Sequence, residues 1–280
     1  LVRNTTITNN KALYRDGGGF YNLAIYNIEL TKIHKNSARE NGGFVYVEMM
    51  YENKLRIIQS SFQSNIAKTK SGGVMMIHNV LPDGLFVDIE GTQYVQNQAG
   101  MSGGMMQING SNLRFSVLNS TFKENTASNG DGGCIFGRSD TTMDIQNTNI
   151  VSNQAGKNGG CMSFGDDTNI NISSCILDKN IANQSGGIMY MKTRSYMHLV
   201  RNTTITNNKA IYRDGGGFYN LAIYNIVSTT IHNNSARENG GFLYVDMMYE
   251  NKLRIIQSSF RNNIAKTKSG GVMMIHNVLP

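Results

Sequence analysis

Apolar residues in this chain alternate with polar ones over short stretches, and the stretches recur. Leu55/Ile57, Val87/Ile89, Phe115/Val117, Met143/Ile145 and Ile170/Ile172 each open a phrase that ends on Asn-x-Ala. A spacing of two places such residues on one face of a strand. Aligned on its Asn, the phrase returns at Asn10, Asn36, Asn65, Asn97, Asn125, Asn153, Asn180, Asn208, Asn234 and Asn263, in steps of 26, 29, 32, 28, 28, 27, 28, 26 and 29 residues. Three positions before each Asn stands an apolar residue, such as Ile33, Phe62, Tyr94 or Leu177, and five before it a Thr, Ser or Cys. After the Ala come turn residues, then Gly-Gly, then a short apolar run such as Phe44 to Val47 or Ile188 to Met191. No segment carries a helical period of 3.6 over a useful length.

A unit of this size, built of short strands, cannot bury its apolar side alone, but copies stacked on one another can. The pattern therefore predicts an all-β fold, a parallel β-helix (solenoid) of about 10 coils of about 28 residues, right-handed by the crossover rule. The recurrent Asn is expected to form a ladder from coil to coil and to sit at a left-handed corner. The Gly pair is expected to supply positive φ or room for a neighbouring coil. One position breaks the pattern: His198 stands ten residues before Asn208, where other coils carry an apolar residue. In runs such as "FVYVEMMY" and "GGVMMI", Val45 and Met75 are expected to face outward, where another strand of a fibre could meet them.

The repeats themselves repeat. Residues 1–82 return at 199–280 with nine differences, among them Leu13/Ile211, Glu29/Val227, Lys32/Thr230 and Gln63/Arg261. The spacing of 198 residues spans seven coils. The organisation expected is a continuous β-helix with one seven-coil module in 1–198 and the start of the next in 199–280, iterated into a rod or packed end to end. The longest step, which carries "HNVLPDGLF" (His78 to Phe86) with Asp83 as its single acid, reads as a lateral contact or bend.

"FQSN" with "GGVM", "FKEN" with "GGCI" and "FRNN" with "GGVM" resemble the paired repeats of the chlamydial polymorphic outer membrane proteins and of similar β-helix surface proteins of protists. That resemblance covers essentially the whole chain and implies a surface-exposed, adhesive or structural β-helix.

Composition narrows the function further. Charged residues are 16% of the chain, below the roughly 25% of ordinary soluble domains. The net charge of +7 is scattered through turns, without the basic stripe and interleaved aromatics of a nucleic-acid binder. No apolar run approaches the roughly 18 residues of a membrane span.

A carbohydrate-active β-helix would need clustered carboxylates on an exposed sheet. The candidates are Asp140, Asp166 and Asp167, whose settings "GRSDTT" and "FGDDTN" are also ordinary turn chemistry. A Ca²⁺ on those carboxylates lacks any specific ligand spacing. The histidines (His34, His78, His198, His232, His276) make no zinc spacing with cysteine, and "DGGGF" lacks the Gly-Lys-Ser/Thr of a phosphate loop. No catalytic, cofactor or metal residue is expected.

Cys134 and Cys161 follow Gly-Gly in successive coils and are expected to stack as buried thiols, with a disulfide as the alternative; Cys175 fills a Ser/Thr slot. Sequons for N-linked glycans stand at Asn4, Asn109, Asn119, Asn171, Asn183, Asn202 and Asn233, of which Asn109 and Asn183 look most accessible. The function expected is an extracellular or cell-surface structural or adhesive filament, with itself and N-linked glycans as partners. The alternative is a carbohydrate-binding or carbohydrate-active β-helix.

Overall fold

The computed structural model describes residues 1–23, 25–50, 53–80, 83–138, 140–248 and 253–278. Every assigned element is a strand, and every strand pair is parallel. Three sheets result: one of 19 strands, in which most coils place two strands, and two of ten strands, one per coil. This is a parallel β-solenoid.

Its corners explain the sequence phrase. Two columns of non-glycine residues adopt left-handed backbone. One runs Asn4, Leu30, Gln59, Asn119, Asn147, Ser174, Asn202; the other runs Asn9, Lys35, Ser64, Gln96, Glu124, Ser152, Lys179 (φ 45° to 60°). The recurrent Asn is not among the left-handed residues; the position immediately before it is. That corrects the expectation that the ladder Asn itself occupies the left-handed corner: the preceding residue makes the bend and turns the Asn side chain inward. The corner's side chain points to water, so it is held only to polar types, Asn in four coils and Lys, Ser, Gln or Glu in the rest, a weaker signature than the buried Asn that follows.

The Gly pair divides its two roles. The first Gly is left-handed in every coil, as at Gly72 (φ 68°) and Gly132 (φ 65°). The second is pressed against the next coil: a Cβ on Gly73 would lie 2.0 Å from the Gly104 carbonyl oxygen.

From first corner to second the chain always takes five residues, for example Gln59 to Ser64 or Asn119 to Glu124. From second corner to left-handed Gly it takes seven or eight, as in Lys35 to Gly42 and Ser64 to Gly72. The return from Gly to the first corner varies far more, from 13 residues (Gly17 to Leu30) to 19 (Gly72 to Gly91). The long step thus falls between the left-handed Gly and the first corner, where strands Met75–Val80 and Leu85–Glu90 flank a turn that includes Asp83 and Gly84 (φ 85°). Leu81 and Pro82, within that insert, and Pro280 lie outside the described residues.

Inside, like stacks on like. Phe62 and Tyr94 stack at 4.6 Å and 5°, and Tyr94 meets Phe122 edge-on at 5.5 Å; such pairs add about 0.5–1.5 kcal/mol each to their burial. Large residues fill the space left by small ones one coil away. A Cβ on Gly19 would meet the Phe44 ring at 2.9 Å, and one on Gly137 the Phe164 ring at 2.6 Å. His198 breaks the apolar pattern without breaking the core, because a β-bulge absorbs it. Ile170 pairs Met197 and Asn171 then pairs Leu199, so Met197 takes the buried slot and His198 turns outward.

Val45 and Met75 are buried, which overturns the expectation that they face outward; their neighbours Tyr46 and Met76 alternate to the opposite face, where Tyr46 is half-buried and Met76 is covered by its surroundings. A one-residue error in strand phase exchanges the two faces.

Candidate functional site

The most repetitive polar feature is the Asn ladder. Asn125 shows the pattern. Its Nδ2 donates to Asn153 Oδ1 at 3.1 Å and to the Tyr94 carbonyl at 2.9 Å, while its Oδ1 accepts from the backbone N–H (3.1 Å) and the Nδ2 (2.9 Å) of Asn97. The same side-chain bond links Asn10 to Asn36, Asn36 to Asn65, Asn65 to Asn97, Asn97 to Asn125, Asn153 to Asn180, Asn180 to Asn208, Asn208 to Asn234 and Asn234 to Asn263. From Asn36 to Asn234 these side chains are buried, so satisfying every donor and acceptor matters.

The Ser/Thr slot five residues earlier forms another ladder. Ser60 Oγ accepts from the Thr31 N–H at 3.2 Å and donates to the Ile58 carbonyl at 2.8 Å. Cys175 sits in this ladder with its thiol on the Ser173 carbonyl, and burial pushes that thiol up to about 11.

A further ladder escaped the sequence reading. The residue immediately before each Gly pair is always Asp, Asn or Ser, and these too connect coil to coil. Asn41 Nδ2 donates to Asp16 at 2.8 Å, Asn158 Nδ2 to Asp131 at 3.0 Å and Asn239 Nδ2 to Asp214 at 2.8 Å. The strict Asp/Asn/Ser choice at that one position was the available signal.

The outer face of the long sheet carries an aromatic column that only the register reveals. Tyr21 pairs Tyr46 and then Met76, and the column continues through Gln107, Phe136 and Ser163 to Tyr190, Tyr219 and Tyr244. Tyr190 stacks on Tyr219 at 4.8 Å and Tyr219 on Tyr244 at 5.1 Å. Partial burial raises the phenols of Tyr190, Tyr219 and Tyr244 above the ordinary range.

The candidate acids come together, as turns. Asp140 and Asp167 are left-handed (φ 56° and 57°), stacked above Asn112 (φ 54°), and Asp166 accepts a hydrogen bond from the Thr193 hydroxyl. Asp83, Asn112, Asp140 and Asp167 line a polar groove of about 530 Å³. Among the described residues no group of three His, Cys, Asp or Glu is placed to hold a metal ion.

The histidines are dispersed. His34 bonds Ser61 Oγ at 3.1 Å, His78 lies beside the Tyr46 ring, His198 beside Tyr224, and His276 beside Asp246 at 3.2 Å. His232 follows Thr206 in the column that carries His34 in the first coils.

Cys134 and Cys161 are free, buried and in contact at 2.9 Å between sulfurs; burial foremost pushes the Cys134 thiol well up. Of the sequon asparagines, Asn4, Asn119, Asn202 and Asn233 are exposed, whereas Asn109, Asn171 and Asn183 are half-buried. This reverses the expectation for Asn109 and Asn183. The exposed four all occupy left-handed corners (φ 50° to 57°), where side chains project outward.

No helix among the described residues is long and apolar enough to cross a membrane. No protein-family model matches the chain, and no curated protein or solved structure shows significant similarity to it.

Proposed function

We propose that this protein is a structural or adhesive element of the cell surface or extracellular space, a rod made of tandem β-solenoid modules. The observation that carries the reading is the junction between the two near-identical segments. Across residue 198 the ladder continues, with Asn180 Nδ2 donating to Asn208 Oδ1 at 3.0 Å, and strand Met189–Arg201 runs through the boundary. A module therefore joins its successor with the same bonds that join coils within it. Nothing limits the number of copies such a junction can link.

At about 4.8 Å per coil, seven coils advance the rod by roughly 34 Å. Exposed Asn4, Asn119, Asn202 and Asn233 would carry N-linked glycans that keep the rods apart. Electron microscopy of chains with two, three and four 198-residue periods tests the rod. Particle length is expected to grow by about 34 Å per added period at constant width; length that fails to scale, or particles that fold back on themselves, would rule the rod out. Mass spectrometry of the native protein before and after glycosidase treatment tests its location, and the absence of glycan on all four asparagines would count against it.

A further inference from the structure

The residue that follows the Gly pair points into the core, and in most coils it is large: Phe44, Val74, Met105, Ile188 and Phe242. In two successive coils it is Cys134 and Cys161, whose sulfurs lie 2.9 Å apart, in contact and unbonded. The two residues sit on adjacent rungs, with the Cys134 N–H donating to the Cys161 carbonyl at 2.7 Å. Adjacent rungs place Cα atoms about 4.8 Å apart, inside the roughly 4.4–6.8 Å span of disulfides. A bonded pair of sulfurs needs about 2.05 Å, so closing the contact takes roughly 0.9 Å of side-chain movement and no change of rung. Cys175 stands in a different column, its sulfur held on the Ser173 carbonyl at 3.1 Å and the Ile145 carbonyl at 3.5 Å.

Access works against the same pair. Both side chains are wholly buried, beside the Asn ladder, whose Asn125 Nδ2 stands 3.9 Å from Cys134 Sγ. Burial also keeps the Cys134 thiol protonated at neutral pH, and a protonated thiol is not the nucleophile of disulfide exchange. In the closed solenoid the sulfurs are near enough to bond but shut off from any reagent.

We propose that Cys134 and Cys161 form a coil-to-coil staple whose redox state is set while the coils close and is kept afterwards. In the open chain, the thiolate of one cysteine attacks a small-molecule disulfide, giving a mixed disulfide and releasing one reduced thiol. The thiolate of the other then attacks the protein sulfur of that mixed disulfide and releases the second. Two protein thiols are oxidised, one external disulfide is reduced to two thiols, and the protons of the cysteines pass to the leaving thiolates. A chain that closes without such an oxidant keeps both thiols. The staple adds a covalent link between coils that the ladder otherwise joins by hydrogen bonds alone, across 27 residues of chain. It does not depend on the filament reading.

The test is refolding of the denatured, reduced full chain in a mixture of oxidised and reduced glutathione. Remaining thiols are then alkylated in denaturant, and peptides are mapped without reductant. Three pairings are open to three cysteines; Cys134 with Cys161 is expected, with Cys175 alkylated. Reduced chain that is already folded, given the same mixture, should oxidise on the order of a hundredfold more slowly than denatured chain, because coils must part first. Amide exchange around the two cysteines should slow on the order of a hundredfold in the stapled form. Cys175→Ser, which installs the residue that Ser60 supplies in another coil, should leave the cross-link intact. The proposal fails if refolding leaves Cys134 and Cys161 as thiols, if Cys175 takes either of them as its partner, if folded and denatured chains oxidise equally fast, or if the cross-link leaves local exchange unchanged.

Discussion

Removing one interior rung of the ladder measures what the ladder contributes. In Asn125→Ala, two buried groups lose their partners, the Asn97 N–H and one Asn97 Nδ2 hydrogen, and the Tyr94 carbonyl loses one donor while its strand pairing with the next coil remains. Asn97 keeps its bond to the Phe62 carbonyl, and Asn153 Oδ1 keeps the Asn125 backbone N–H. Each orphaned buried group costs about 1–3 kcal/mol, so the loss is on the order of 2–6 kcal/mol, and relaxation of neighbouring coils favours the lower half. The same change at Asn10 removes only its side-chain bond to Asn36, at a part-buried position, and should cost about 1 kcal/mol or less. Native-state hydrogen exchange is the suitable assay, because a solenoid opens locally and each rung reports on its own coils. Protection at Asn97 and Asn125 should collapse in Asn125→Ala while amides several coils away hold. If Asn125→Ala costs no more than Asn10→Ala, the ladder is a by-product of stacking and does not hold the coils together.

Three further changes follow from individual residues. Tyr94 is fully buried and its hydroxyl has no hydrogen-bond partner, while Phe62 and Phe122 occupy the equivalent slots; Tyr94→Phe should stabilise by about 1–3 kcal/mol in denaturant titration, and a loss of stability would show that the hydroxyl is satisfied. Gly73→Ala drives a Cβ into backbone at 2.0 Å and should cost several kcal/mol, whereas Gly91→Asn, at φ 56° with its nearest neighbour 3.4 Å away, should be close to neutral because Asn119 and Asn147 adopt the same corner. Partial burial, then Lys32 and Lys35, hold His34 below the usual imidazole range. The unfolded chain therefore binds the proton first, and stability should fall as pH drops from about 6.5 toward the lower folded value. Replacing His34 with Gln should remove that part of the pH dependence, and an unchanged profile would exclude His34 as its source.

The stack was legible because burial enforces it. Ile33, Phe62 and Tyr94 must be apolar and Asn65 must satisfy Asn36 and Asn97, so period and identity recur together. Corners such as Lys35, Ser64 and Glu124 share a backbone conformation but only polarity in their side chains, so the bend was assigned one residue too late. The faces of Val45 and Met75 were misread because alternating apolar residues occupy both sides of that wall and only the register fixes the phase.

Confining length variation to one return path has a consequence for how such a chain can change. The stretches from first corner to left-handed Gly keep nearly fixed lengths and carry the Asn ladder, so an insertion there would throw every later rung out of step. The return path already ranges over six residues with the pitch unaltered. New segments can therefore be grafted at the turn beside Asp83, or at its counterparts in other coils, without renegotiating the stack. One edge of the rod is free to diversify while the rest is held to a template, and it is there that variants of this chain are expected to differ in length.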